Sequence, residues 1–144
     1  MMTYPSPRGA RGQHSAQAYA SIGLETQVLS ATPEQLITML FDGALAAIAK
    51  AHLYLQNGDI QGRGNAISKA IDIVDSGLKA SIDMEAGGEL ARNLAQTYDL
   101  IIRNLLQANL NADAEKLQLA QRLLSDIGDA WRTATGLSKT PASA

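Results

Sequence analysis

The stretch ATPEQLITMLFDGALAAIAKAHLYLQNGD, residues 31–59, decides the fold. Thr32 can accept a hydrogen bond from the free amides of a first helical turn. Pro33 behind it lacks only a donor that this turn would leave unpaired. Gln35 completes a Thr-x-x-Gln capping box, and Glu34 complements the positive helix end. Leu36, Ile37, Leu40, Phe41, Ala44, Ala47, Ile48, Ala51, Tyr54 and Leu55 then recur at helical spacing. Asn57-Gly58-Asp59 supplies the stop, with Gly58 free to take a positive φ.

The same grammar repeats downstream. Ile60, Ile67, Ile71, Val74, Leu78 and Ile82 mark a second helix, beside a small-residue stripe of Ala66, Ala70, Ile73 and Gly77. Gly62 and Gly64 each weaken its first turns by about 1 kcal/mol relative to Ala. Gly87-Gly88 punctuates the next turn. A third helix runs from about Glu89 through Ala91, Leu94, Tyr98, Ile101 and Leu105, with Ala95, Ile102 and Leu106 alongside. After a loop at 109–113, Leu117, Ala120, Leu124, Ile127, Trp131 and Ala134 carry a fourth helix that ends at Gly136. Four helices of matched length on short loops predict an all-α, elongated, antiparallel up-down four-helix bundle over 31–136.

The flanks read differently. Residues 1–15 hold two of the four prolines and almost no large apolar side chain, so they are expected to be disordered, as is the tail 137–144. Between them and the bundle, 16–30 has apolar residues without sustained period, consistent with a short helix or an extended arm.

Composition narrows the function. The 144 residues carry 12 Lys+Arg against 14 Asp+Glu, a net of −2, without the basic excess a nucleic-acid binder needs. Twenty-four alanines against six aromatics favour closely packed helices over a sheet. Cysteine is absent, which excludes disulfides and thiolate metal sites. No uninterrupted apolar run reaches the ~18 residues of a membrane span, and the N-terminus lacks a signal-peptide core. A cytosolic protein is expected.

Catalytic constellations do not assemble. His14 and His52 are the two histidines and neither lies three residues after a Glu, so the di-iron pattern of carboxylate bundles is missing. His52, among apolar helix residues, reads as a structural side chain. Gly62-Arg63-Gly64 lacks the third glycine and the preceding strand of a dinucleotide loop. Asn109, Asn111 and Asp113 alternate as in a calcium loop, but Ala114 stands where glycine is required and Ala120 where the bidentate acid belongs. Asp72/Asp75 and Asp126/Asp129 read as solvated helix faces. The expectation is a protein that is not an enzyme and holds no metal or cofactor.

What remains is apolar surface of unusual breadth. On the third helix, Leu94, Tyr98, Ile101 and Leu105 can point inward while Ala95, Ile102 and Leu106 flank them, or the reverse. Either the breadth is ordinary bundle core, or it forms a groove for an amphipathic partner helix. Small residues such as Ala66, Ala70 and Gly77 would let a partner backbone approach closely.

The runs ATPEQLITMLFDGA (31–44), YLQNGDI (54–60), SKAIDIVDSGLKASID (68–83), GGELARNL (87–94), LLQAN (105–109) and DAW (129–131), in this order with Tyr98, resemble the FliS family of flagellin export chaperones. The likeness spans roughly 17–134. It implies a cytosolic bundle that binds the C-terminal segment of flagellin and prevents its premature polymerisation. The complex is then delivered to the membrane protein of the flagellar export gate. The anti-sigma factor of flagellar regulation is a further partner in some members, and an open groove would favour a homodimer until a client covers it. A groove of Ile71, Leu78, Leu94, Tyr98, Ile101 and Leu105 is the resulting expectation, with Tyr19 and Ile22 on an N-terminal arm above it. Asn93 and Asn109 match polar positions of the family pattern. The rival reading is a helical adaptor for a different amphipathic client.

Overall fold

The computed structural model describes residues 28–137, which are helices and connecting turns. Tyr19, Ile22, the segments 1–15 and 138–144 and most of the expected arm lie outside the described residues. Of that arm, 28–30 are helical, and the Ala31 amide donates to the Val28 carbonyl at 3.2 Å. Four long helical stretches follow: α1 (Pro33–Asn57), α2 (Ile60–Asp72), α3 (Gly88–Asn111) and α4 (Ala114–Thr135). Beyond Asp72, α2 continues without a break through a π-helical turn, Ile73–Leu78, and a 3₁₀ turn, Lys79–Ser81.

The termini follow the local chemistry. α1 begins at Pro33, and Gly58 takes φ +71° behind its last turn. Asp59 then caps α2, its carboxylate accepting from the Gly62 amide at 2.9 Å. Asp113 caps α4 by accepting from the amides of Glu115 and Lys116, which satisfies donors the first turn leaves free. The expected five-residue loop at 109–113 is much shorter. α3 runs on to Asn111, and Ala112 alone reverses the chain in the left-handed conformation at φ 51°.

Side-chain contacts between helices fix the topology. Leu40 of α1 lies on Gly77, Gly43 faces Ile73, and the Tyr54 ring lies on Gly62. The sequence numbers fall on α1 as they rise on α2, so the two run antiparallel. Thr38 against Trp131 and Phe41 against Gly128 set α1 antiparallel to α4, and the long Arg132 side chain reaches Asp42 across the same interface. Lys79–Asp99 and Arg63–Asn109 do the same for α2 and α3. The result is the expected up-down-up-down four-helix bundle. Its core holds Phe41, Ile48, Ile67, Val74, Ile101, Leu105, Leu117 and Leu124, with Ala44, Ala51, Ala70 and Ala120 as the small partners that let the helices approach.

Two details depart from the sequence reading. Gly62 and Gly64 looked like plain helix weakeners. At Gly62, however, a β-carbon would sit 2.7 Å from the Tyr54 ring, so the missing side chain is what admits the aromatic. The small stripe on α2 also serves the bundle rather than a visitor. Ala66 and Ala70 are buried, and a β-carbon at Gly77 would stand 3.1 Å from both Leu40 methyls.

By length and composition α1 also passes for a membrane span, with a mean hydropathy of 1.5 over its most apolar 18 residues. Part of its apolar surface is taken up by the core, where Phe41, Ala44, Ala47, Ile48 and Ala51 are buried. Asp42, on the same helix, is ion-paired to α4.

Candidate interaction surface

Four of the six groove residues expected from the sequence are core. Ile101 and Leu105 are fully buried, and Leu78 and Tyr98 nearly so. Burial pushes the Tyr98 phenol up to about 12, because a phenolate there would lose its water. Ile71 and Leu94 are half-buried and pack against the core from its margin. Of the alternatives left open for α3, the stripe Leu94, Tyr98, Ile101, Leu105 is therefore the inward one. Leu106 on the flanking stripe is exposed, while Ala95 and Ile102 are half-buried.

The apolar side chains that face outward include Ile60 and Leu106, on or beside the periodic lines, and Leu53 and Leu110, which lie off them. Leu53, Ile60, Leu106 and Leu110 are all exposed, Ile60 at 69% and Leu110 at 82%. They belong to one end of the bundle. The Arg63 guanidinium donates to the Asn109 side-chain oxygen at 3.1 Å and to its carbonyl at 3.0 Å, which joins the start of α2 to the end of α3. Ile60 lies one turn before Arg63, Leu110 directly follows Asn109, and Leu106 is one turn before Leu110. Tyr54 on Gly62 brings the end of α1, with Leu53, to the same place. Leu119, near the start of α4, adds a further partly exposed side chain there.

The opposite end of the bundle is held by polar groups, although Met84 and Leu90 are also exposed there. The Trp131 indole donates to the Thr38 hydroxyl at 3.1 Å, and that hydroxyl donates to the Glu34 carbonyl. One turn along, Arg132 reaches Asp42 at 2.6 Å and Asp129 at 3.1 Å, with its side chain only 11% exposed. Asp42 Oδ2 and Arg132 Nε are buried there without a hydrogen-bond partner. Between α2 and α3, Lys79 pairs with Asp99 at 2.7 Å, and that hydrogen bond raises the Lys79 pKa above its ordinary value.

Neither end assembles reactive groups. Among the described residues no three His, Cys, Asp or Glu side chains converge as metal ligands would. His52 is half-buried, with Nε2 shielded and unpartnered. Asp72, Asp75, Asp126 and Asp129 are exposed, as expected of solvated faces.

A family model described as "Flagellar protein FliS" matches residues 15–138. The chain belongs to the FliS family. It is 53% identical over 116 residues to the flagellar secretion chaperone FliS of Salmonella typhimurium, covering 81% of this chain and 86% of that relative. The FliS of Escherichia coli is 47% identical over 116 residues, with 81% and 85% covered. The Vibrio cholerae FliS is 33% identical over 117 residues, again with 81% and 85% covered. The resemblance read from the sequence is thereby confirmed. The FliS match reaches back to residue 15 and so includes Tyr19 and Ile22, which lie outside the described residues. Of the polar positions that matched the FliS pattern, Asn109 has a structural task in the link to Arg63. Asn93 is exposed, and its carbonyl accepts from Thr97.

Proposed function

We propose that this FliS-family chain is a cytosolic export chaperone. It holds the C-terminal segment of flagellin, keeps it from polymerising early and presents it to the flagellar export apparatus. Binding is the whole of its chemistry, and no covalent bond changes. The observation that carries this reading is the gathering of Leu53, Ile60, Leu106 and Leu110 as exposed side chains at one end of a family member's bundle. An amphipathic helix lays its apolar face on such a surface, and its anchors recur every three or four residues, as Leu106 and Leu110 do here. Ile71 and Leu94 offer their half-buried edges farther along the bundle.

The energetics fit. A tail that folds on binding gives up about 2–5 kcal/mol in ordering. Fully burying one leucine-sized side chain returns about 1.5–3 kcal/mol, so three or four anchors offset that cost.

Titration calorimetry with a peptide of the flagellin C-terminal segment tests the proposal. Saturable heat is expected, with a gain in helical circular dichroism beyond the sum of the two components. A folded chaperone that gives neither heat nor helix gain contradicts it.

A further inference from the structure

Buried residues on the second helical stretch recur in steps of four: Ala70, Val74 and Leu78. Each step of four overshoots a 3.6-residue turn by about 40°, so a regular α-helix would carry Leu78 off the core-facing line. The π-helical turn Ile73–Leu78 takes up the overshoot by housing one extra residue. The hydrogen bonding there is divided. The Lys79 amide is shared between the carbonyls of Val74 and Asp75, the π and the α partner respectively. The Gly77 carbonyl accepts from the Ser81 hydroxyl, and the chain then tightens to a 3₁₀ turn and becomes extended at Ile82.

Beyond this turn the chain is lightly held. Leu78 is the last buried side chain before Ala91, and Ile82 between them is half-buried. A polar tie to α3 is Lys79–Asp99, with side chains 35% and 43% exposed. A pair that open to water contributes little to holding the segment. Lys79 and Asp99 directly follow Leu78 and Tyr98, which are both buried in the core, and Leu94, one turn before Tyr98, packs against it.

We propose that the π turn is a hinge at which residues 78–86 swing away from α3 as a unit. The swing bares the seam of Leu78, Tyr98 and Leu94 to an apolar helix face of the client. The second half of this inference rests on the chaperone reading above. The first half concerns the free protein alone. Opening costs one half-exposed ion pair, the burial of Leu78 and the packing of Ile82 against the core. The rest of the core, centred on Ile101, Leu105, Leu117 and Leu124, stays closed. Local opening of this kind lies well below global unfolding in free energy.

The chain has no cysteine, so one introduced thiol reports opening without ambiguity. Leu78→Cys is expected to react with a thiol reagent about 100-fold faster than Leu105→Cys, with no need of denaturant. Deleting the exposed Ser76 removes the extra residue and returns the helix to a regular path. In the Leu78→Cys background it is expected to slow labelling at least about tenfold. Amide exchange on the unmodified protein guards against destabilisation by the substitution itself, with amides 78–82 expected to exchange ahead of 101–108. Equal labelling at the two positions, or a rate that ignores the Ser76 deletion, overturns the hinge. With a flagellin tail peptide bound, as shown by heat, slower labelling of the Leu78→Cys variant supports the client at the seam and an unchanged rate removes it. Absence of heat overturns the chaperone reading and its client, while the labelling rates without peptide still decide the hinge.

Discussion

The two ends of this bundle are built on opposite principles. At one, Trp131, Thr38, Arg132, Asp42 and Asp129 interlock α1 and α4 through directed polar contacts. At the other, Leu53, Ile60, Leu106 and Leu110 stand in water beside a single Arg63–Asn109 link. Directed polar contacts fix how two helices sit but leave nothing for a third to gain. Exposed leucines do the reverse, giving little to the isolated fold and a good deal to whatever covers them. On the proposed function the first end contributes more to stability and the second offers an anchoring surface, while the turn beyond Leu78 and the exposed Met84 and Leu90 give the first end a share in recognition.

The largest effect should come from breaking the polar end. Arg132→Ala leaves the Asp42 carboxylate, already short of one partner, without its counter-charge, and should lower the unfolding free energy by about 2–3 kcal/mol in denaturant titration. Replacing both members, Asp42→Leu with Arg132→Met, should recover most of that loss, since the pair then leaves no charge behind. A single variant within about 0.5 kcal/mol of the parent would show that this end is not locked by charge.

A smaller effect sharpens the other end. Ala112 turns the chain there at φ 51°, where a β-carbon crowds the following carbonyl. Ala112→Gly should raise stability by about 0.5–1 kcal/mol, seen as a higher denaturation midpoint, with client affinity untouched. A loss of stability would mean that the left-handed turn is not the strained point.

The helices were legible in the sequence because their signals are local. Pro33 at the first helical position, Gly58 and Gly136 at the stops and a 3.6-residue apolar period each act within a turn or two. The surface was not legible, for two physical reasons. Periodicity finds the strongest apolar line on a helix, and on α3 that line is the core: Tyr98, Ile101 and Leu105 were read as groove and are buried. Leu53 and Leu110 lie off the apolar lines, and Ile60 and Leu106 sit on or beside them with no local sign of exposure. One signal was available, since Leu106 and Leu110 form an i, i+4 pair outside the inward stripe, though it gains meaning only once Arg63 and Asn109 join two helices distant in sequence. The steps of four from Ala70 to Leu78 likewise announced a departure from the α-helix, yet they pass for ordinary amphipathic spacing until the turn itself is seen.

The measurement that bears most directly on this division is calorimetry of the flagellin C-terminal peptide against the Leu106→Asp, Leu110→Asp double variant. Both side chains are exposed, so the melting temperature should stay within a degree or two of the parent's, about what a surface change produces. Affinity should fall at least about tenfold, the 1.4 kcal/mol expected from removing two anchors. An intact bundle that binds the tail as tightly as before would contradict the assignment of recognition to this end.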